Sequence, residues 1–312
     1  MPHTPFGIAV LGTGIMGRRM LAALQQHPRF RVVAAWDPDA AALQAALATA
    51  PGARAAASAE ALFDDAAVDV VYIASPPAAH AAALRLALRA GKPCLCEKPL
   101  THGVAEAEAL RDAVLAAGLP CAVNFPFARS VAANRLREIV QRGELGRIES
   151  AHIRLRFARW PREWQAGASA WLAGPAEGGF TREVLSHFAF LALRVFGPAE
   201  VAEVQLERAP GAAETALRAR WRHAGVEVQV DAAVAGERAD DNGFEVVGER
   251  GRVALKGWSQ LEHDGHTSER TDSTPLTLDG LAALLEGRPE HGLATLAEAA
   301  AVVRCIESML RG

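Results

Sequence analysis

Gly12-Thr13-Gly14-Ile15-Met16-Gly17 has the G-x-G-x-x-G spacing that lets main-chain amides close on a phosphate. Gly12 allows a tight turn, Gly14 lets the backbone approach a pyrophosphate, and Gly17 lets a helix pack close to the preceding strand. The pyrophosphate would lie at the helix N-terminus, where unpaired N–H groups and the positive dipole end favour an anion. Asp37 stands twenty positions beyond Gly17. A carboxylate there accepts from ribose hydroxyls and repels a 2′-phosphate, which predicts NAD(H) in preference to NADP(H). The competing reading of Asp37 is a helix N-cap ahead of Pro38, and both roles can hold together. Alone, such a glycine pattern is weak in a chain with 27 glycines.

A second group of residues could work on a bound substrate. Glu97-Lys98-Pro99 closes the apolar run Pro93-Cys94-Leu95-Cys96. A lysine at the C-terminal end of a parallel strand lies where α/β folds bind ligands. Its ammonium can hydrogen-bond a substrate hydroxyl and stabilise developing alkoxide charge. The plainer reading is a surface lysine at a strand-to-helix turn. Further on, Glu183 and His187 are four apart, which places them one turn apart on one face of a helix. An imidazole with an ordinary pKa near ~6.5 can take a hydroxyl proton while hydride leaves the same carbon. A neighbouring carboxylate would orient it and favour its charged form. Val184, Phe188, Leu191 and Val195 form a separate apolar stripe for the core. Asn124 and Phe125 follow the last strand of the first domain and are candidate substrate contacts.

These groups need a scaffold, and the chain supplies an alternation of strand and helix. Phe6–Leu11 is a short apolar strand that runs straight into the glycine loop, followed by a helix to about Gln26. Arg31–Trp36 is a second strand with Asp37 at its tip, and Pro38 is placed to open the next helix. Strands at 68–74, 93–96 and 120–124 alternate with helices from Pro76-Pro77 to Ala90 and over 103–117. Alternating β and α elements imply a parallel sheet covered by helices. After about residue 147 the pattern changes. Ile148 to Phe157 alternates, with Ala151, Ile153, Leu155 and Phe157 on the more apolar side. Further strand signals lie at 203–208, 217–223, 226–234, 244–249 and 252–258, with Gly225, Gly243 and Gly251 as turns. The fold class expected is α/β: an N-terminal doubly wound parallel Rossmann sheet, plus a C-terminal α+β domain with a large, mostly antiparallel open sheet. The 312 residues divide into a dinucleotide-binding domain, 1–123, and a substrate-binding and assembly domain, 124–312. A last helix runs from Leu296 to Leu310.

Ser75-Pro76-Pro77-Ala78-Ala79-His80, Ala90-Gly91-Lys92-Pro93 and Glu97-Lys98-Pro99, in this order behind the glycine loop, give the chain its likeness. It resembles the glucose–fructose oxidoreductase / inositol dehydrogenase / rhizopine catabolism (Gfo/Idh/MocA) family along essentially its whole length. The family pattern is a strand ending in Thr-Pro-Asn-x-x-His, a helix ending in Ala-Gly-Lys, and Glu-Lys-Pro. Ser75 stands here for Thr and Pro77 for Asn. The resemblance implies that Ser75, Pro76, His80, Glu97 and Lys98 lie by the cofactor, and that the Lys98–Pro99 bond can be cis. Gly178-Gly179 with Glu183 and His187 resembles the family's Gly-Gly and Asp-x-x-x-His helix, with Glu183 in place of Asp. Phe190 stands where an Asp is frequent, and Ala128 where an Arg is frequent. The implied function is hydride transfer between nicotinamide and a secondary alcohol or carbonyl of a sugar, cyclitol or related small molecule. Two other readings stay open: reduction of a C=N or conjugated C=C bond, and a non-catalytic NAD(P)-binding regulator. The resemblance also implies a homodimer or homotetramer assembled through the broad second sheet.

Composition narrows the partners. Net charge is −3 without a basic patch at either end, against nucleic acid or an anionic membrane as the main partner. Met1-Pro2-His3-Thr4-Pro5 is not a charged leader followed by a long apolar stretch, and no apolar run is long enough to span a bilayer. Cys94, Cys96, Cys121 and Cys305 are scattered; a Cys-x-Cys pair without a second pair or a nearby His is a poor zinc site, so no metal is expected and a reducing cytoplasm suits the thiols. The irregular stretch 158–177 carries Trp160, Trp164 and Trp171 beside Arg156, Arg159 and Arg162. It reads either as an apolar wall for a sugar ring with an Arg for an anionic group, Trp164 being the candidate contact, or as an arm that touches another subunit.

Overall fold

The computed structural model describes residues 4–238 and 240–311; Met1, Pro2 and His3 of the N-terminal segment read above for a leader lie outside them. The chain forms two compact units. The first runs to Phe125 and takes in Thr274–Ala300, and the second comprises Pro126–Ser273 and the chain from Ala301.

The first unit contains β1 (Phe6–Leu11), α1 (Ile15–Gln26), β2 (Phe30–Trp36), α2 (Ala40–Ala48), β3 (Arg54–Ala55), α3 (Ala59–Asp64), β4 (Val70–Ile73), α4 (Pro77–Ala90), β5 (Cys94–Glu97), α5 (Val104–Ala117) and β6 (Cys121–Asn124). Its six strands are all parallel in the order β3-β2-β1-β4-β5-β6. The order reverses between β1 and β4, as in a doubly wound Rossmann sheet. Every residue of β4 and of β5 is buried, which is why these strands read as unbroken apolar runs rather than alternating ones. Helices α4 and α5 stop at Gly91 and Gly118, which adopt left-handed φ values of 63° and 60°. One local expectation is corrected. Pro38 does not open α2; the helix starts at Ala40 and its N-cap is Asp39, whose carboxylate accepts from the Ala41 and Ala42 amides. Asp39 is the residue adjacent to the first helical turn, so Asp37 is left out of the cap.

The second unit begins with α6 (Val131–Gln141) and β7 (Ile148–Arg156), followed by the short α7 (Ser169–Leu172) and a π-helical turn, Thr181–Leu185, that runs into α8 (Ser186–Phe196). Then come β8 (Glu200–Arg208), β9 (Glu214–His223), β10 (Val226–Ala233), β11 (Asp241–Gly248), β12 (Gly251–Lys256), β13 (Gln260–His263) and β14 (His266–Thr267), before α9 (Thr274–Leu285) and α10 (Leu296–Leu310). The eight strands lie in the order β14-β13-β12-β11-β7-β10-β9-β8, antiparallel except for the β7–β10 pair. One face is apolar: Ala151, Ile153 and Leu155, Val228 and Val230, and Phe244 and Val246 are buried. The other carries cross-strand charges, among them Arg220–Glu203 at 3.4 Å and Arg252–Glu245 at 3.1 Å. Gly243, read as a turn, sits inside β11 opposite Lys256. The apolar stripe expected on α8 is wider than a stripe: every residue from Ser186 to Ala192 is buried.

Helix α9 returns to the first unit. Leu278, Leu281, Ala282 and Leu293 join Met20, Leu21 and Leu24 in one core. His27 meets Asp279 at 3.2 Å, and Ala294 bridges Val123 beyond the edge of β6. A boundary drawn along the sequence at 123/124 assigns this segment, and Asn124 itself, to the other unit.

Candidate functional site

In the first unit the glycine loop forms a cradle. Gly12 has φ 95°, and a side chain there would strike the main chain at Ala74 and Ser75, at the end of β4. A Cβ on Gly17 would collide with the Gly12 carbonyl, so the helix can approach the strand only without one. Around Gly14 the space is open for at least 4 Å. Helix α1 has no side-chain cap and no acidic residue in its first turn, so the amides at Ile15 and Met16 are open to an anion. Asp37 ties the tip of β2 to this loop. One carboxylate oxygen accepts from the Thr13 amide at 2.6 Å and the Thr13 hydroxyl at 3.0 Å, and the other from the Asp39 amide at 2.9 Å.

Across the sheet, Ser75-Pro76 follow β4, and β5 ends at Glu97 with Lys98 just beyond it. The Ser75 hydroxyl oxygen is buried without a hydrogen-bond partner. His80 is fully buried, with Nδ1 2.7 Å from the Pro99 carbonyl and Nε2 2.9 Å from that of Ser75. Burial, opposed by those carbonyls, holds its pKa below the ordinary histidine range, so the neutral ring donates to one of them. His80, expected beside the cofactor, thus braces the turn after β5 against the end of β4. Lys98 is 9% exposed, and the Lys98–Pro99 bond is cis. Asn124 turns its amide onto Glu97 Oε1 at 2.7 Å, and Phe125 is buried. Lys92 of Gly-Lys-Pro serves the scaffold, since its ammonium donates to the Asp65 and Val68 carbonyls at 2.9 and 2.6 Å.

In the second unit the Gly-Gly pair exists for close approach. A Cβ on Gly178 would meet the Leu172 and Trp171 carbonyls, and one on Gly179, at φ 93°, would meet the Glu214 carboxylate. The buried Glu214 side chain accepts from the Thr181 amide at 2.6 Å, at the start of the π-helical turn. Glu183 lies in that turn, so its relation to His187 is not the α-helical four-residue step that the spacing suggests. The Glu183 carboxylate accepts from Gln165 Nε2 at 3.1 Å and faces Arg162 at 3.7 Å. Arg162 in turn donates to Asp240 at 2.8 Å and packs against the Trp160 and Trp164 rings at 5.5 and 4.8 Å. Trp164 itself is 44% exposed. His187 meets Phe127 and Trp258 edge-on, with ring centroids 6.0 and 5.2 Å away. Phe190 is buried under the Arg194 guanidinium at 4.5 Å.

Sequence reasoning missed Tyr72, Glu214, Asp240 and Trp258. Each reaches its partner from a distant strand or loop, and none carries a local spacing signal. No group of three or more His, Cys, Asp or Glu among the described residues could hold a metal ion. No helix among them is long and apolar enough to cross a membrane.

Residues 6–125 match the model of an oxidoreductase family with an NAD-binding Rossmann fold, and residues 133–254 match the C-terminal domain of the same Gfo/Idh/MocA family. The chain belongs to the Gfo/Idh/MocA family. Among its relatives is the dTDP-3,4-didehydro-2,6-dideoxy-alpha-D-glucose 3-reductase of Streptomyces violaceoruber, 36% identical over 43% of this chain and 39% of that protein. Another is the inositol 2-dehydrogenase of Pseudarthrobacter chlorophenolicus, 32% identical over 64% of this chain and 56% of that one. The matches therefore span about two fifths to a little over half of these relatives' own length. The fold is that of the WlbA dehydrogenase from Bordetella pertussis in complex with NADH and UDP-GlcNAcA, with a TM-score of 0.85 at 21% identity over 99% of this chain and 96% of that chain.

Proposed function

We propose that this Gfo/Idh/MocA chain is an NAD(H)-dependent oxidoreductase that interconverts a secondary alcohol and a carbonyl on a sugar, cyclitol or related small molecule. The observation that carries the reading is the shared sheet edge. The open Gly14 loop lies on one side of the strand-order reversal, and Lys98 closes β5 on the other. The cradle at Gly14, the uncapped α1 amides and the orphaned Ser75 hydroxyl suit a nicotinamide dinucleotide. Gly12–Gly17 and Asp37 would hold its pyrophosphate and adenosine half, and Ser75, Pro76 and Glu97 would line the other half. When bound, that cofactor supplies or accepts the hydride. Lys98 polarises the reacting oxygen, His187 carries its proton, and Glu183 orients His187. Asn124, Phe125 and Trp164 are the further candidates for substrate contacts. The working form is a homodimer or homotetramer assembled through the eight-stranded sheet, in the cytoplasm.

A screen of polyols, cyclitols and nucleotide-linked sugars, read by NADH and NADPH absorbance, tests the activity. One or more should turn over, and His187→Ala should lower kcat on it by about 10²–10⁴-fold. Equal turnover by the variant would remove His187 from the reaction. Asp37 supports the cofactor choice. Asp37→Ser should raise the affinity for NADPH relative to NADH by roughly tenfold, since a carboxylate near a 2′-phosphate is repulsive. Tighter binding of NADPH than NADH by the unmodified protein would refute that role.

A further inference from the structure

Three neighbouring strands of the first unit converge on one carboxylate. Glu97 ends β5 and pairs in register with Asn124 at the end of β6, while Tyr72 lies on β4, along the opposite edge of β5. Asn124 Nδ2 donates to Glu97 Oε1 at 2.7 Å, and the Tyr72 phenol donates to the same oxygen. All three are buried: Tyr72 is 0% exposed, and Glu97 and Asn124 are each 7% exposed. Burial, followed by the Glu97 charge and the hydrogen bond to it, pushes the Tyr72 phenol well above its ordinary range. The phenol therefore keeps its proton and is the donor. Two donors on one carboxyl oxygen favour the charged form, which accepts more strongly than the neutral acid.

Packing does not require a charge here. A buried carboxylate is costly even when hydrogen-bonded, and an apolar side chain of similar volume would fill the slot with less penalty. The position offers a reason for it. Glu97 lies at the C-terminal edge of the sheet, on the other side of the strand-order reversal from Asp37. A dinucleotide laid across that reversal has its adenosine half over β2 and its nicotinamide half over β4 and β5. The oxidised nicotinamide ring is cationic and the reduced ring is neutral, so a fixed negative charge on that side discriminates between them.

We propose that Tyr72 and Asn124 are positioning residues that hold Glu97 as a buried carboxylate on the nicotinamide side of the site, and that this charge favours the oxidised cofactor over the reduced one. The inference rests on the dinucleotide reading above and adds to it a redox bias set by the chain. Its consequence is a lowered potential of the bound couple, which aids reduction of a substrate carbonyl by bound NADH.

The test is equilibrium titration of the full chain with NAD⁺ and with NADH, followed by tryptophan fluorescence, for wild type, Glu97→Gln, Tyr72→Phe and Asn124→Ala. The ratio Kd(NAD⁺)/Kd(NADH) should rise roughly three- to tenfold in Glu97→Gln and by a smaller factor in the other two. A tenfold change in that ratio corresponds to about 30 mV for a two-electron couple. A merely structural role would weaken both nucleotides alike and leave the ratio in place. Tyr72 is the single tyrosine of the chain. Tyrosinate absorbance therefore reports it alone, and its ionisation should move to lower pH in Glu97→Gln. An unchanged ratio in folded Glu97→Gln would overturn the inference. Where that variant does not fold, an unchanged ratio in folded Tyr72→Phe, which removes one donor only, overturns it instead. Binding of neither nucleotide by wild type would overturn the dinucleotide reading itself.

Discussion

Lys98→Ala should lower kcat by about 10²–10³-fold while leaving NAD⁺ and NADH affinity within about twofold of wild type. The side chain is buried at the C-terminal end of β5, and the turn that carries it is braced by His80 on the Pro99 carbonyl at 2.7 Å. A preorganised ammonium in a water-poor site acts on charge that develops in the transition state more than on the ground state. The loss should therefore fall on kcat with a smaller change in KM. Lys98→Arg should not restore the rate, because a planar fork cannot replace a compact point charge in that space. Steady-state kinetics on a substrate from the screen, alongside nucleotide titration, separates the effects. Full activity in Lys98→Ala would assign this lysine to the turn alone.

The second large effect concerns stability. Arg182 sits in the π-helical turn and makes a two-point pair with Glu307 of α10, Nε–Oε1 at 2.6 Å and Nη2–Oε2 at 2.9 Å. Its Nη1 also donates to the Pro175 carbonyl at 2.8 Å. Glu307→Gln would leave a buried guanidinium without its counter-charge, at a cost of roughly 3 kcal/mol. For a unit of this size that lowers the thermal midpoint by roughly 5–10 °C. The paired replacement Arg182→Met with Glu307→Leu should recover most of the loss, because two apolar side chains need no counter-charge. Calorimetry of the three proteins measures both effects. A single variant as stable as wild type would show that solvent reaches the pair and screens it.

The first domain was largely legible in the sequence, and the reason is local. β1, β4 and β5 are buried on both faces, so they appear as short apolar runs, and the helices after β4 and β5 stop at glycines that take the left-handed conformation. The glycine loop is legible for a similar reason: each glycine marks a place where a Cβ would collide or where the backbone must stay open. The second sheet was legible as alternation, with boundaries shifted by a few residues because turn signals locate a strand's end loosely. β13 and β14 escaped because they are short and polar, and α8 reads as a stripe although it is buried on all sides.

Residue order alone was enough for the family and the plan of two sheets, and it supplied the residues on which the proposed chemistry rests: the glycine loop, Asp37, Lys98 and His187. Those depend on neighbours along the chain, where spacing is preserved in any fold. The groups that these residues face were set by folding. It tied Asp37 to Thr13, turned Asn124 and Tyr72 onto Glu97, gave His80 to two carbonyls, and set Arg162 between Asp240 and Glu183. It also returned α9 to the first unit, where an apolar helix buries its face against α1. Each of these contacts joins residues on different strands, helices or loops. A buried polar atom must find its partner wherever folding brings one, and no local spacing records that choice.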